Sequence, residues 1–292
     1  MDSIPYLFCD DVAGTIKDIE DLTPQLISVD NSRFSMWKAV FNAQEHSRHE
    51  FDLYFGWNDG EWSYGIEKVD RSNLFRTKSC EFNVLKLIKR RNLRIVSVEF
   101  SWRTESHAST LEEIKEIIGY CIPFVDSARL DLKFSKIKEN ELSSMLSYFE
   151  NAPFSSIVVH NNKECYESLL RTHLRSNCLK RVIIYGNDWS NEFQSELEQF
   201  VLKNPFDSVD FVSSNLVFDK RIFEKLFELS PNEFKGRHFN GIFSFDNDKL
   251  KNFKEEFMTY VDSKQIYWKR KDGARVRLHR NGRMSLMSIF PK

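Results

Sequence analysis

Glycine and proline are scarce in this chain, with 10 glycines and 7 prolines among 292 residues. That is about half of their ordinary combined share. A chain with so few turn-forming residues and with 26 phenylalanines can bury a substantial core, which excludes the disordered and fibrous classes. No apolar run reaches the roughly 18 residues of a membrane-spanning helix, and the first residues, MDSIPYLFCDD, do not form a secretory signal. We therefore expect no membrane partner.

An excess of charge of one sign is also missing, because 42 Lys and Arg face 43 Asp and Glu, for a net charge of −1. This balance excludes the global basic field of a general nucleic-acid binder but is compatible with a local basic patch. The five cysteines are widely spaced and odd in number. They predict free thiols in a reducing compartment, and hence a cytoplasmic or nuclear location.

Catalytic signatures are absent from the sequence. It contains no G-x-S-x-G elbow, no phosphate-binding G-x-x-x-x-G-K-[ST] loop and no G-x-G-x-x-G fingerprint, and no C-x-x-C pair that would indicate a zinc or redox site. His46 and His49 lie three residues apart in a charged segment, without a third ligand placed by the sequence. We therefore predict a protein that is not an enzyme and that has no cofactor and no metal site.

Hydrophobic periodicity predicts three short helices over the first forty or so residues. Phe8, Val12 and Ile16 repeat at four-residue spacing, and Trp37 and Phe41 mark the face of the third helix. Residues 51–66 instead alternate apolar and polar side chains around an Asn-Asp-Gly turn at 58–60, which is typical of a β-hairpin.

From about residue 92, β-type runs and helix-period segments alternate. The first helix of this region shows a capping-box pattern at Thr110–Glu113. Strand–helix units that cannot bury their apolar faces alone indicate an irregular βα solenoid like a leucine-rich-repeat array, with a doubly wound α/β domain as the competing fold. The predicted strands are 95–100, 130–134, 157–160, 182–185 and 209–212.

Residues 265–290 alternate β-type residues around Asp-Gly and Asn-Gly turns, which predicts a three-stranded antiparallel meander closing the array. The predicted class is α/β (α+β overall), in the order helical unit, solenoid and meander. The predicted boundaries are 1–45 for the helical unit, 46–90 for the hairpin and a connecting helix, 91–260 for the repeats and 261–292 for the meander.

The C-terminal region also suggests a nucleic-acid or partner-binding patch, because Arg275, Arg277 and Arg280 belong to a group of basic residues interleaved with Tyr267 and Trp268. A basic stripe with aromatic residues could hold a phosphate backbone. Lysine and arginine also protect exposed sheet edges from aggregation, and we consider that role the more common one, so nucleic acid is not the expected partner.

The N-terminal segment resembles an F-box. It has an Ile-Pro start at Ile4 and Pro5, an amphipathic helix, an Asp-Leu step and a tryptophan about thirty residues after the proline. The resemblance implies docking on the Skp-type adaptor of a cullin–RING ubiquitin ligase. The adaptor-facing or motif-defining residues would then be Ile4, Pro5, Phe8, Val12, Leu22 and Trp37.

Residues 179–211 resemble the FTH-type F-box-associated domain expanded in nematodes, in which a strand ends in Gly, a Trp follows and an "L..F" helix leads into the next strand. Here these residues are Gly186, Trp189, Leu197 and Phe200. Together the two resemblances imply an intracellular substrate receptor of a ubiquitin ligase, with the adaptor and an unidentified protein target as partners. The alternatives are an interaction scaffold without a ligase link and a nucleic-acid binder acting through the basic meander.

Overall fold

The chain forms two compact units, and each is described by itself. The N-terminal unit comprises Met1–Val98 and Arg103–Asp126, and the C-terminal unit comprises Glu99–Trp102 and Ser127–Lys292. The structure is a computed structural model. It describes residues 48–58, 60–69, 78–101, 107–133, 139–160, 164–203, 206–228, 238–245, 258–261, 265–269, 273, 275–281 and 284–290.

A long β-hairpin is the main element of the N-terminal unit, and it confirms the hairpin predicted from the alternation. Its strands pair antiparallel from Phe51 opposite Lys68 to Asn58 opposite Glu61, and Gly60 at the turn has φ of 99°, where only glycine is free of strain. The elements of this unit are β1 (His49–Asn58), β2 (Glu61–Lys68), β3 (Lys78–Ser79), α1 (Phe82–Leu87), a 3₁₀ turn (Arg90–Asn92), β4 (Leu93–Phe100, in this unit through Val98), β5 (His107–Ser109), α2 (Leu111–Cys121) and a second 3₁₀ turn (Ile122–Phe124). The strand order is β4–β1–β2–β3, and β5 pairs with β2.

The capping box predicted at the start of α2 is present. The Glu113 backbone N–H donates to Thr110 Oγ1 at 3.2 Å, and the Thr110 backbone N–H donates to Glu113 Oε2 at 3.1 Å. These bonds satisfy amide groups that would otherwise lack partners at the first turn. They fix the start of a helix whose residues Ile114, Ile117 and Ile118 are buried.

A mixed sheet with helices between its parallel strands makes up the C-terminal unit. Its strands are β6 (Val125–Leu132, in this unit from Ser127), β7 (Phe154–His160), β8 (Arg181–Tyr185), β9 (Ser208–Val212), β10 (Val217–Phe218), β11 (His238–Phe243), β12 (Met258–Val261), β13 (Gln265–Lys269), β14 (Arg275–Asn281) and β15 (Met284–Phe290). Its helices are α3 (Glu139–Leu146), a 3₁₀ turn (Ser147–Phe149), α4 (Glu164–Leu174), α5 (Asn191–Lys203) and α6 (Lys220–Glu228). Among the residues that the structure describes, no helix is both long enough and apolar enough to cross a membrane.

The fold class expected from the sequence, an irregular βα solenoid closed by a C-terminal meander, is wrong. Strands β6, β7, β8, β9 and β11 pair in parallel, but β11 then pairs antiparallel with β15, and the sheet continues through β14 and β13 to β12. The C-terminal strands therefore extend one mixed sheet and do not cap a solenoid. The expected three-helix unit lies outside the described residues, and the predicted domain boundaries remain a prediction.

One face of this sheet is covered by a layer of aromatic rings. The ring of Phe223 in α6 lies 6.1 Å from Phe243 of β11 and 5.5 Å from Trp268 of β13. A Cβ at Gly241 would stand 3.1 Å from a ring carbon of Phe211, so a side chain there would displace a packed ring. This apolar face consists of the buried residues Leu130, Leu132, Ile157, Val159, Val182, Ile184, Val209, Phe211, Phe239, Phe243, Ile266, Trp268, Val276 and Leu278.

Ion pairs join α4 to α5 in the helical layer behind the sheet. Arg171 donates to Glu167 Oε1 at 2.7 Å on its own helix and to Glu196 Oε1 on α5 at 2.6 Å. Glu167 also accepts from the Ser190 hydroxyl at 2.6 Å, and that hydroxyl accepts from the Phe193 backbone N–H at the first turn of α5. The Glu167 carboxylate therefore binds both the arginine that bridges the two helices and the serine at the start of α5.

His173 on α4 is buried with only 2% of its surface exposed. Its Nε2–H donates to the carbonyl oxygen of Phe149 at 3.0 Å. Burial lowers the pKa of His173, and the bond to Phe149 offsets only part of that shift. The folded protein therefore holds this histidine neutral at pH values where the unfolded chain takes up a proton.

The free energy of unfolding should accordingly decrease as the pH falls below about 6.5, the value for an unfolded histidine. Urea unfolding followed by circular dichroism at a series of pH values measures this. In His173→Gln, which keeps a donor but cannot titrate, the decrease should be shallower by up to about 1.4 kcal/mol per pH unit. Above about pH 7.5 the pH dependence of both proteins should be the same, and equal slopes below pH 6.5 would contradict the assignment.

Candidate functional site: the polar face of the C-terminal sheet

The second face of the C-terminal sheet carries polar side chains, most of which remain partly exposed, although Ser288 is buried. Because side chains alternate along a strand, burial of one set against the helices leaves the other set on this face. We call it the polar face, and its clearest feature is one row that crosses eight neighbouring strands. In register from β6 to β13, that row is Arg129, Ser156, Arg181, Ser208, His238, Ser288, Arg277 and Tyr267.

The next row toward the carboxyl ends of the parallel strands is mixed. From β6 to β15 it runs Asp131, Val158, Ile183, Asp210, Asn240 and Leu286, in which Val158 is buried and Leu286 is 37% exposed. A ligand lying over the first row would therefore also meet apolar side chains beside it.

Asp131 stands at the centre of a charged cluster on β6. The carboxylate is 2% exposed, and its Oδ2 lies 2.7 Å from Arg129 Nη2 and 3.3 Å from Lys133 Nζ. Lys133 Nζ also lies 2.8 Å from Glu99 Oε1, which accepts from the Ser101 hydroxyl at 2.6 Å. Burying a carboxylate requires compensating partners, and the two cations supply them.

His160 ends β7 beside this cluster. Its ring stacks on Tyr185 of β8 with centroids 4.4 Å apart and planes 7° from parallel, and its Nε2 lies 3.5 Å from Asp131 Oδ1. Burial lowers the pKa of His160, Asp131 raises it, and the nearby Lys133 and Arg129 lower it again, with a net decrease. The imidazole is therefore neutral at neutral pH and presents a flat ring for contact.

Arg277 dominates the far end of the row. Its guanidinium carbon lies 5.7 Å from the centroid of the Tyr267 ring, and its Nη2 lies 3.4 Å from both Gln265 Oε1 and His279 Nδ1. Arg277 thus contacts an amide, an imidazole and a phenol ring and no carboxylate among the described residues, so its charge is available to a ligand. The neighbouring Arg275 is exposed.

The residues of the predicted basic patch do not all lie on the same face of the sheet. Arg275 and Arg277 lie on the polar face, but Trp268 is 1% exposed and packs 5.8 Å from Phe227 on the apolar face. Trp268 therefore cannot belong to a surface patch, because it alternates with Tyr267 and points to the opposite side. The side chain of Arg280 is outside the described residues, as are Ile4, Pro5, Phe8, Val12, Leu22 and Trp37.

The residues of the FTH-type pattern lie in the turn between β8 and α5 and on α5 itself. Gly186 follows β8 with φ of 94°, and its carbonyl accepts from Trp189 Nε1 at 3.0 Å. The Trp189 ring is buried and stacks on Phe193 at 4.8 Å, while Leu197 and Phe200 are buried on α5. The pattern thus describes a strand-to-helix turn and its core.

Sequence reasoning missed Arg129, Arg181 and His160 as site residues. Arg129 and Asp131 do alternate with buried leucines in the run RLDLK, which is a period-2 signal for one polar face. The signal that unites the residues of the row is the cross-strand register, and a single sequence does not contain it.

No family model and no curated protein matches the chain. Among solved structures, the methyltransferase MycE from the mycinamycin biosynthetic pathway, in complex with Mg, SAH and mycinamycin VI, aligns at 11% identity over 99% of this chain and 93% of that chain, with a TM-score of 0.20. A second structure of MycE with Mg and SAH aligns at 12% identity with a TM-score of 0.21. These scores carry no inference about fold or activity.

Removing the charge of Asp131 should lower the pKa of His160 further, because only this carboxylate and Glu99 favour its protonated form against Lys133 and Arg129. We expect Asp131→Asn to shift the NMR titration of the His160 ring to lower pH. The buried His173, which bonds to Phe149, serves as the internal control and should not move. An unchanged or raised pKa of His160 would show that Asp131 does not act on this ring.

Proposed function

We propose that this protein is a non-catalytic interaction receptor that binds a partner protein through the polar face of its C-terminal sheet. The observation that carries this proposal is the row of cationic and hydroxyl side chains on one partly exposed face, backed by a buried aromatic layer. A rigid sheet loses little conformational entropy on binding, so its contacts contribute more fully to affinity.

The second part of the proposal concerns the N-terminal segment. Its F-box-like pattern supports docking on a Skp-type adaptor, which would make the chain a substrate receptor of a cullin–RING ubiquitin ligase. Such a receptor holds two partners and needs no catalytic residue of its own. Ile4, Pro5 and Phe8 are the candidates for an apolar contact patch.

A titration of the full chain against the Skp-type adaptor tests this second part. We expect micromolar or tighter binding by the unaltered chain and a loss of about tenfold or more in Pro5→Ala, Phe8→Ala, because truncation of apolar anchors removes buried contact area. The matched control is Pro123→Ala, Phe124→Ala, which makes the same two changes in a 3₁₀ turn of the N-terminal unit.

Circular dichroism should first confirm that both double variants are folded. Absence of adaptor binding by the folded, unaltered chain would overturn the ligase role and leave an interaction receptor without a ligase link. Equal loss of affinity in the control variant would show that the first residues are not the specific contact.

A further inference from the structure

The geometry points to an extended acidic segment of another protein as the ligand of the polar face, lying across the strands along the row from Arg129 to Tyr267. This inference rests on the proposed receptor function and specifies its partner. Its basis is the order of residues in that row, in which the long cationic or imidazole side chains occupy every second strand and serines occupy the strands between them.

The spacing of this row matches an extended peptide. Neighbouring strands lie about 4.8 Å apart, so positions on every second strand are separated by about 10 Å. Three residues of a peptide in the extended polyproline II conformation cover nearly the same distance, at about 3.1 Å each, and every third side chain returns to the same face. A peptide crossing the strands with an acidic residue at every third position would therefore place successive carboxylates near Arg129, Arg181, His238 and Arg277.

These side chains are available to a ligand. Arg181 is exposed and forms no ion pair within the part of the chain that the structure describes. His238 is exposed and hydrogen-bonded to the Ser288 hydroxyl at 3.3 Å, and Arg277 contacts no carboxylate among the described residues. Arg129 pairs with Asp131, but half of its side chain remains exposed.

The charge of the surrounding surface favours an anionic ligand. In the neighbouring row, Asp131 is paired with two cations, whereas Asp210 accepts from the Ser208 hydroxyl and has no ion-pair partner among the described residues. Lys269 and Arg275, both exposed, lie opposite each other on β13 and β14 and add positive charge beside the row. The face is thus cationic although the whole chain has a net charge of −1.

A peptide fits this charge density better than a nucleic acid does. Each strand of a DNA duplex carries a phosphate about every 3.4 Å along its axis, which is about three charges for each cation of the row. A peptide with one carboxylate per three residues matches the row one to one. Its intervening residues can contact the part-exposed Ser156, Ser208, Ile183 and Leu286.

Fluorescence anisotropy with three labelled peptides of equal length tests this inference on the full chain. The first peptide has a glutamate at every third position, the second has the same glutamates clustered at one end, and the third has lysines in place of the glutamates. We expect the first to bind about tenfold more tightly than the second, and the third not to bind. Equal affinity of the first two peptides would overturn the inferred register.

Variants locate the binding surface. Arg181→Glu and Arg277→Glu should each weaken the first peptide by about tenfold or more, because each replaces an attraction by a repulsion. The matched control, Arg175→Glu, makes the same charge change on an exposed arginine after α4 and should retain affinity. Retained affinity in both row variants would overturn the site.

Two further results separate this inference from the proposed function. A labelled oligothymidine that binds more tightly than the first peptide, with affinity falling steeply as salt increases, would overturn the acidic-peptide assignment in favour of nucleic acid. A chain that binds the Skp-type adaptor but none of the peptides would overturn this inference and leave the adaptor role intact. Peptide binding without adaptor binding would support this inference and remove only the ligase role.

Discussion

The contact between the aromatic rings of the helical layer and one face of the C-terminal sheet determines which side chains of that sheet are buried and which point to its other face. Phe223 meets Phe243, Phe245 and Trp268 within about 6 Å, and aromatic burial of this extent is a leading source of stabilisation in a domain. Because alternate side chains point to opposite faces, burying Trp268 directs Tyr267 to the other side. The packing of the core thus determines which side chains point to the polar face.

The elements of the fold were more predictable than their arrangement. The hairpin turn at Gly60, the capping box at Thr110 and the short strands near Ile157 and Val209 are local signals, and the structure contains each of them. The fold class was wrong because β15 pairs with β11 across about 50 residues of sequence. A period-2 pattern identifies a strand but not its neighbour, so a meander capping an array and a meander extending a sheet give the same sequence pattern.

The candidate site shows the same division between local and long-range information. Arg275 and Arg277 could be identified as a basic stripe because they alternate with buried residues within one strand. Trp268 was also assigned to that stripe. It follows Tyr267 directly in the strand, so its side chain points to the opposite, apolar face. Arg129 and Arg181 are separated by about 50 residues in sequence but by only one intervening strand in the sheet, and only the register brings them into one row.

Because the whole chain has a net charge of only −1, the local distribution of charges on the polar face determines which ligands that face attracts. Fields of exposed charges decay within about 8–10 Å at physiological ionic strength, so a partner senses the local surface and not the whole chain. In the helical layer, Glu167 and Glu196 are neutralised by Arg171 and Arg175, whereas Arg181 and Arg277 on the polar face have no carboxylate partner among the described residues. A cationic side chain held beside neutral groups gains more from an incoming carboxylate than one already paired, because no existing ion pair must be broken first. The polar face therefore offers an anionic ligand cations that are not already engaged in ion pairs.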